Sequence, residues 1–163
     1  AETGKKVLLL CADMRKGKLH KNLNIKQQPG LSEYLKDSVC LEEIIHHTPH
    51  IDFIPCGKYP ENPSELLLKN QFKDLLKSVE NQYDLILLDT PPILAVTDAC
   101  IIGQNNGINL MSVGLGQNKM EELKATLNRL ENNKIKLHGL ICNYYKKKSN
   151  SYNYNNYYYY TYK

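Results

Sequence analysis

The sequence predicts an α/β fold, a parallel sheet with helical crossovers on both faces. Short apolar runs of strand length alternate with longer segments of helical periodicity. Those runs are nearly continuous, the pattern of strands buried on both faces. At 163 residues and 42% hydrophobic content, the chain is long and apolar enough for one domain with a real core.

In chain order, "KKVLLLCA" (Lys5 to Ala12) reads as the first buried strand. "GLSEYLKD" and "LEEIIHH" read as short helices, and "IDFIPCG" as a second strand ended by Pro and Gly. "NPSELLLKNQFKDLLKSVENQ" reads as one strong helix, with Pro63 at its entry, Ser64 as a cap, and an apolar stripe through Leu67, Phe72, Leu75, Leu76 and Val79. "YDLILLDT" is a third buried strand, "TDACIIGQNN" a helix and "INLMSV" a fourth strand. "KMEELKATLNRLENN" is an amphipathic helix through Met120, Leu123, Leu127 and Leu130, and "KLHGLICN" a fifth strand. From about Tyr144 the periodicity stops. The chain therefore divides into a domain over residues 1–143 and a Tyr-, Asn-, Ser- and Lys-rich tail over 144–163 that cannot bury a core and is expected to be flexible.

The net charge of +4 is mild and calls for neither a nucleic-acid nor a membrane partner. Lys146 to Lys148 form the one basic cluster and read as a solvated hinge that could touch anionic lipid. Cys11, Cys40, Cys56, Cys100 and Cys142 are odd in number and lack a CxxC spacing. They read as reduced, buried thiols of a cytosolic protein. No apolar run approaches the ~20 residues that a membrane helix needs. In "HHTPH", Pro49 interrupts the spacing of His46, His47 and His50, and no acid or cysteine completes a tetrahedral set. These histidines read as a helix C-terminus, where the dipole favours them.

In open parallel sheets, ligands bind beyond the carboxyl ends of the strands. Asp13, after "VLLLCA", and Asp89, after "LILL", occupy two such ends. An apolar strand ending in Asp and followed by "TPP" suits a fold that holds Mg²⁺ beside a nucleotide through water. An Asp capping a turn explains either acid alone equally well.

"VLLLCADMRKGKLHKNL" resembles the second ATP-binding motif, Walker A′, of the bacterial tyrosine autokinases, and "YDLILLDTPPILAVTDA" resembles their Walker B region. "IDFIPCGKYPENPSELL" is similar to the segment that links the two, and a tyrosine cluster closes the chain. The likeness runs from about Gly4 to Asn143 and is strongest to the fused, proteobacterial-type enzymes of capsule and exopolysaccharide export. It implies a P-loop, partition-ATPase-like fold that binds ATP and Mg²⁺. It implies that Asp89 is the Walker B carboxylate orienting magnesium-bound water, and that Asp13 is the second A′ acid, also near the metal. Arg15 would sit by the phosphates or a subunit boundary. Tyr152, Tyr154, Tyr157, Tyr158, Tyr159, Tyr160 and Tyr162 would accept phosphate. The implied partners are further copies in a ring-like homo-oligomer, the subunit's own or a neighbour's tail, a tyrosine phosphatase, and the inner face of the plasma membrane, reached through a segment outside this chain.

Three departures stand against that pattern. A phosphate loop needs G-x-x-x-x-G-K-[ST], yet the Gly-Lys pairs at Gly4, Gly17 and Gly57 are followed by Lys6, Leu19 and Tyr59. "AETGKKV" corresponds to the end of the helix that follows that loop in the family, so the expectation is a strand, loop and helix upstream, and weak or absent ATP binding by this chain alone. Cys11 stands where the family has the first Asp of Asp-x-Asp, thought there to activate the attacking tyrosine. A thiol lacks that carboxylate's charge and two acceptor oxygens. It reads either as a small buried residue or as the mark of an inactive, kinase-like regulatory module. Gly114 stands where the family usually carries an Arg. A partition- or septum-type ATPase is a third reading, sharing the strand-Asp-TPP signature but giving the tail no role.

Seven tyrosines fall in the last thirteen residues, Ser151 to Lys163. Each phosphotyrosine adds about −1.5 to −2 charges, so full modification would turn a weakly basic end strongly acidic and could switch assembly. A flexible segment of ~20 residues has a root-mean-square span of about 25 Å, and stretches to roughly 65 Å, enough to reach an adjacent subunit.

Overall fold

The structure, a computed structural model, describes residues 4–145. The tail with its seven candidate acceptors, and Lys146 to Lys148, lie outside the described residues. The elements run β1 (Val7–Cys11), α1 (Leu19–Asn22), α2 (Leu31–Tyr34), α3 (Leu41–Ile44), β2 (His46–His47), β3 (Asp52–Ile54), α4 (Pro63–Leu68), α5 (Asn70–Glu80), β4 (Leu85–Asp89), α6 (Asp98–Gly103), β5 (Leu110–Gly114), α7 (Met120–Asn132) and β6 (Gly139–Asn143).

β1 is the central strand. It pairs in parallel with β3 on one side and β4 on the other, in the order β2-β3-β1-β4. Its unbroken apolar run is explained by that position, since Leu8 and Leu10 are fully buried and layers cover both faces. Phe53 and Ile54 of β3 continue the core, and Phe72, Leu75 and Val79 of α5 close over it. Met14, Leu31, Leu35 and Ile44 fill the end nearest the short helices. A smaller cluster of Cys100, Leu130 and Ile135 joins α6 to α7.

The expected parallel sheet forms, but among the described residues it is divided. β5 and β6 pair in parallel as a separate two-stranded sheet. β4 has β1 on one side and, among the described residues, no strand on the other. It is also less buried than a continuous apolar run suggests. Leu85 and Leu87 are each 46% exposed, while Ile86 and Leu88 pack against the core. Leu110 of β5 and Leu140 of β6 are exposed as well.

Two expected helices take a different course. "LEEIIHH" is helical only to Ile44, because Ile45 turns extended (φ −85°, ψ 118°) and starts a hairpin. His46 and His47 form β2, antiparallel to β3, with His47 Nδ1 2.8 Å from Asp52 Oδ1 across the strands. Strand pairing, rather than a helix dipole, places these histidines. The segment expected as one helix from Asn62 breaks at Lys69 (φ −64°, ψ 150°), whose ammonium donates to the Leu35 carbonyl at 2.9 Å. In an unbroken helix Leu67 and Phe72 would diverge by about 140°. The break lets both face the core, where each is at most 1% exposed. α1 is a short helix that the pattern did not signal. On α7, Leu130 is buried but Met120 and Leu127 of the expected stripe are exposed. Three of the five free cysteines, Cys11, Cys56 and Cys100, are buried as expected, whereas Cys40 and Cys142 are exposed. Among the described residues no helix is long and apolar enough to cross a membrane.

Phe72 and Leu68 offer a direct check of this packing. Phe72→Ala should lower unfolding free energy by about 3–5 kcal/mol, and Leu68→Ala, at an exposed position, should change it by no more than about 0.5 kcal/mol. Urea titration of both variants measures the difference, and equal losses would contradict the arrangement of α4 and α5.

Candidate functional site

Because β1 and β4 run parallel, their carboxyl ends meet at one rim, and the register sets Cys11 opposite Asp89. The ladder closes one residue further, where Ala12 N–H donates to the Asp89 carbonyl at 2.8 Å. Asp13 follows immediately. The two acids singled out by sequence therefore share a rim, on adjacent strands.

Asp13 serves its own turn first. Its Oδ1 accepts from the N–H groups of Arg15 (3.0 Å) and Lys16 (2.9 Å), and its carbonyl accepts from Gly17 N–H (2.9 Å). The turn-capping role is thus realised, and Oδ2 keeps no hydrogen bond among the described residues. Gly17 is required by close approach, since a Cβ there would lie 2.5 Å from the Asp13 carbonyl oxygen and 2.6 Å from Cys11 Sγ.

Asp89 is half-buried, and its carboxyl is raised above its ordinary value by burial, with the nearby Asp13 charge adding to it and a hydrogen bond from Cys11 opposing it. The Cys11 thiol donates to Asp89 Oδ2 at 3.7 Å. The bond to Cys56, then burial, then the charge of Asp89 push Cys11 well above the ordinary thiol range. Cys11 therefore stays protonated at neutral pH and acts as a weak donor toward Asp89, not as a base. Cys56 Sγ lies 4.0 Å from the Gly17 carbonyl oxygen, and Tyr59 donates to the same oxygen at 2.9 Å.

Arg15 pairs with Asp98, at the start of α6. Its Nε donates to Asp98 Oδ2 (2.8 Å) and its Nη2 to Asp98 Oδ1 (3.0 Å), a two-pronged ion pair with a fully buried carboxylate. Ser64 Oγ donates to the same Oδ1 at 2.6 Å. Burial alone would raise the Asp98 carboxyl, but the bonds from Arg15 and Ser64 overcome it and hold it below its ordinary value. Within the chain, the Arg15 guanidinium contacts Asp98 and Ser64. Gly114, at the end of β5, is closely surrounded: a Cβ would meet Gln117 Cβ at 3.0 Å and Tyr144 Cδ2 at 3.2 Å.

Sequence reading found Asp13, Asp89 and Cys11 at the rim but missed Asp98, Ser64, Cys56 and Gly17. Asp98 and Ser64 lay in view inside "TDA" and "NPSELL" and looked like helix-start residues. Only the fold brings them, 34 residues apart, onto one another.

Comparison with known proteins agrees with this layout. A family described as "AAA domain" matches residues 1–138. "Tyrosine-protein kinase ptk" of Acinetobacter johnsonii is 46% identical over 93% of this chain and 21% of its own length. "Tyrosine-protein kinase wzc" of Salmonella typhimurium is 39% identical over 99% of this chain and 23% of its own. The chain thus spans about a fifth of the length of these relatives. Among solved structures, the kinase domain of the Escherichia coli tyrosine kinase ETK superposes with a TM-score of 0.87 at 36% identity, over 96% of this chain and 63% of that one. The cell-division ATPase MinD of Pyrococcus furiosus (TM-score 0.71, 20% identity, 91% of this chain and 63% of that one) shares the P-loop fold. With its acids at the shared rim of β1 and β4, its parallel-sheet fold and these likenesses, the chain belongs to the AAA-domain family, with bacterial tyrosine-protein kinases among its relatives.

Proposed function

We propose that this chain is part of an ATP-dependent tyrosine autokinase domain that regulates capsular or exopolysaccharide polymerisation and export. The observation that carries the reading is the side-by-side placement of Asp13 and Asp89 at the carboxyl rim of neighbouring parallel strands. The donor set suits a hard cation, because it is made of carboxylate oxygens, Asp13 Oδ2 has no hydrogen bond among the described residues, and the charge of Asp13 weighs on a half-buried Asp89. Magnesium bound there would neutralise the charge that develops between the β- and γ-phosphates of ATP. Asp13 and Asp89 would hold its water ligands, and β1, β4 and the Asp13–Gly17 turn would fix where those carboxylates stand. Tyr152, Tyr154, Tyr157, Tyr158, Tyr159, Tyr160 and Tyr162 would be the acceptors, on the same or a neighbouring copy in a ring-like oligomer.

The nucleotide also needs a phosphate loop, and the sequence holds no G-x-x-x-x-G-K-[ST]. In the reading proposed here, a strand carrying that loop, from another part of the full-length protein, pairs between the free edge of β4 and β5. The exposed Leu85, Leu87 and Leu110 support this, as does the greater length of the ETK kinase domain. Membrane attachment likewise belongs to another part of the protein.

Cys11 favours a second reading. A protonated thiol cannot take the proton that a tyrosine hydroxyl loses on phosphorylation. A regulatory module of the same fold, whose tail is phosphorylated by a competent partner, accommodates this residue without further assumption.

Full-length protein incubated with labelled ATP and Mg²⁺ should carry phosphate on the tail tyrosines, read by peptide mass spectrometry. Asp89→Asn should reduce that label by at least about tenfold, and an unlabelled, folded wild type would rule out the autokinase. Cys11→Asp separates the two readings: a large gain in label supports the regulatory module, and an already high, unchanged rate removes it. The 163-residue chain alone should show no calorimetric signal with micromolar MgADP, and tight binding would remove the need for the added loop.

A further inference from the structure

Three segments that carried the family likeness, "DMRKG", "NPSELL" and "TDA", meet at a single buried side chain. Asp98 begins α6 and is 0% exposed. A charge so placed is costly unless every oxygen is met by a strong donor. Both are met: Oδ2 by Arg15 Nε, and Oδ1 by Arg15 Nη2 and Ser64 Oγ. Ser64 Oγ also lies 3.3 Å from Arg15 Nη2 and 3.4 Å from Thr97 Oγ1. One carboxylate thus ties the turn after β1 to the first turns of α4 and α6.

The tie acts on the backbone that aims Asp13. Arg15 N–H donates to Asp13 Oδ1, so the same residue whose guanidinium is held by Asp98 also holds the Asp13 carboxylate through its main chain. Lys16 N–H adds a second bond to that oxygen, and Gly17 N–H closes the turn onto the Asp13 carbonyl. With Oδ1 committed, Oδ2 is the atom left without a hydrogen bond among the described residues. A planar guanidinium gripped on two edges fixes orientation as well as distance, which an ammonium cannot do.

We propose that Asp98 is a positioning residue for the magnesium–nucleotide site, acting with Ser64 through Arg15 to hold the Asp13–Gly17 turn so that the Asp13 carboxylate stands beside Asp89. This rests on the functional reading above, in which Asp13 and Asp89 face the metal. It gives Arg15 a structural post at the turn. It also gives "NPSELL" a part in the site, although Ser64 lies 51 positions from Asp13 in the sequence.

The test uses the full-length protein with Asp98→Asn, Arg15→Lys and Ser64→Ala, and Asp13→Asn as the reference. Two quantities are read: amide hydrogen exchange at Arg15, Lys16 and Gly17 without nucleotide, and the magnesium concentration that half-saturates ADP binding. In Asp98→Asn the three amides should exchange faster, and the magnesium requirement should rise about tenfold, as in Asp13→Asn. Arg15→Lys, which keeps the charge but loses the fork, should fall between that variant and wild type, and Ser64→Ala should move both readouts the same way by less. If Asp98→Asn does not fold, the other two variants decide by the same criteria. Folded variants with lower unfolding midpoints but an unchanged magnesium requirement would reduce the network to a structural tie and overturn the proposal. Loss of the magnesium effect with unchanged amide exchange would also overturn it. A wild type that binds no MgADP, or an Asp13→Asn variant indistinguishable from it, would instead bring down the site reading itself, and the positioning role with it.

Discussion

The hydrogen bond from Ala12 N–H to the Asp89 carbonyl, at 2.8 Å, is the last rung between β1 and β4, and the candidate site depends on it. Parallel strands share a direction, so their ends share a rim. The register decides the rest. With Cys11 opposite Asp89, the next residues of β1 rise past the sheet beside the end of β4, and Asp13 arrives next to a carboxylate 76 positions later in sequence. A slip of one residue would turn the side chains of β4 to the opposite face and carry Asp89 away. Ile86 and Leu88 of β4 oppose such a slip, since they pack against the core while Leu85 and Leu87 between them are exposed.

Around that rung the turn after β1 is held from two directions. Gly17 admits close approach from the side of Cys11, and Arg15 reaches the other way to Asp98. The turn is short and polar, yet its geometry is settled by a buried carboxylate and a missing side chain. Cys11 fits the same picture. It is small enough to lie beneath Gly17, and its thiol rests against Asp89 without adding a third negative charge to the rim. A carboxylate there would raise the local charge and make a cation more necessary.

Much of this was legible in the sequence because it depends on local pattern. The buried run "VLLLC" and the strand-end acids mark β1, β4 and the rim directly, since two-sided burial forces continuous apolarity. What stayed hidden depends on contacts between distant segments. The break at Lys69 is set by the need to bury both Leu67 and Phe72, which helical periodicity alone does not express. β2 forms because β3 offers it a partner, and "HHTPH" in isolation gives no sign of that pairing. The exposure of Leu85 and Leu87 could not be read from "LILL" either, because composition reports that a strand is apolar and not which neighbours cover it. Asp98 and Ser64 looked like ordinary helix-start residues until α4 and α6 were placed together.

Among the described residues β4 is an edge strand and β5 pairs only with β6, which has a wider meaning within the proposed reading. A strand that paired with both β4 and β5 would join the two sheets and, in the same stroke, bring phosphate-binding amides to the rim. Assembly and ligand affinity would then be two faces of one equilibrium, since whatever binds only the completed sheet stabilises it by mass action. Nucleotide would act as a clasp across the seam, and a subunit that lost its nucleotide would loosen first where its two halves join.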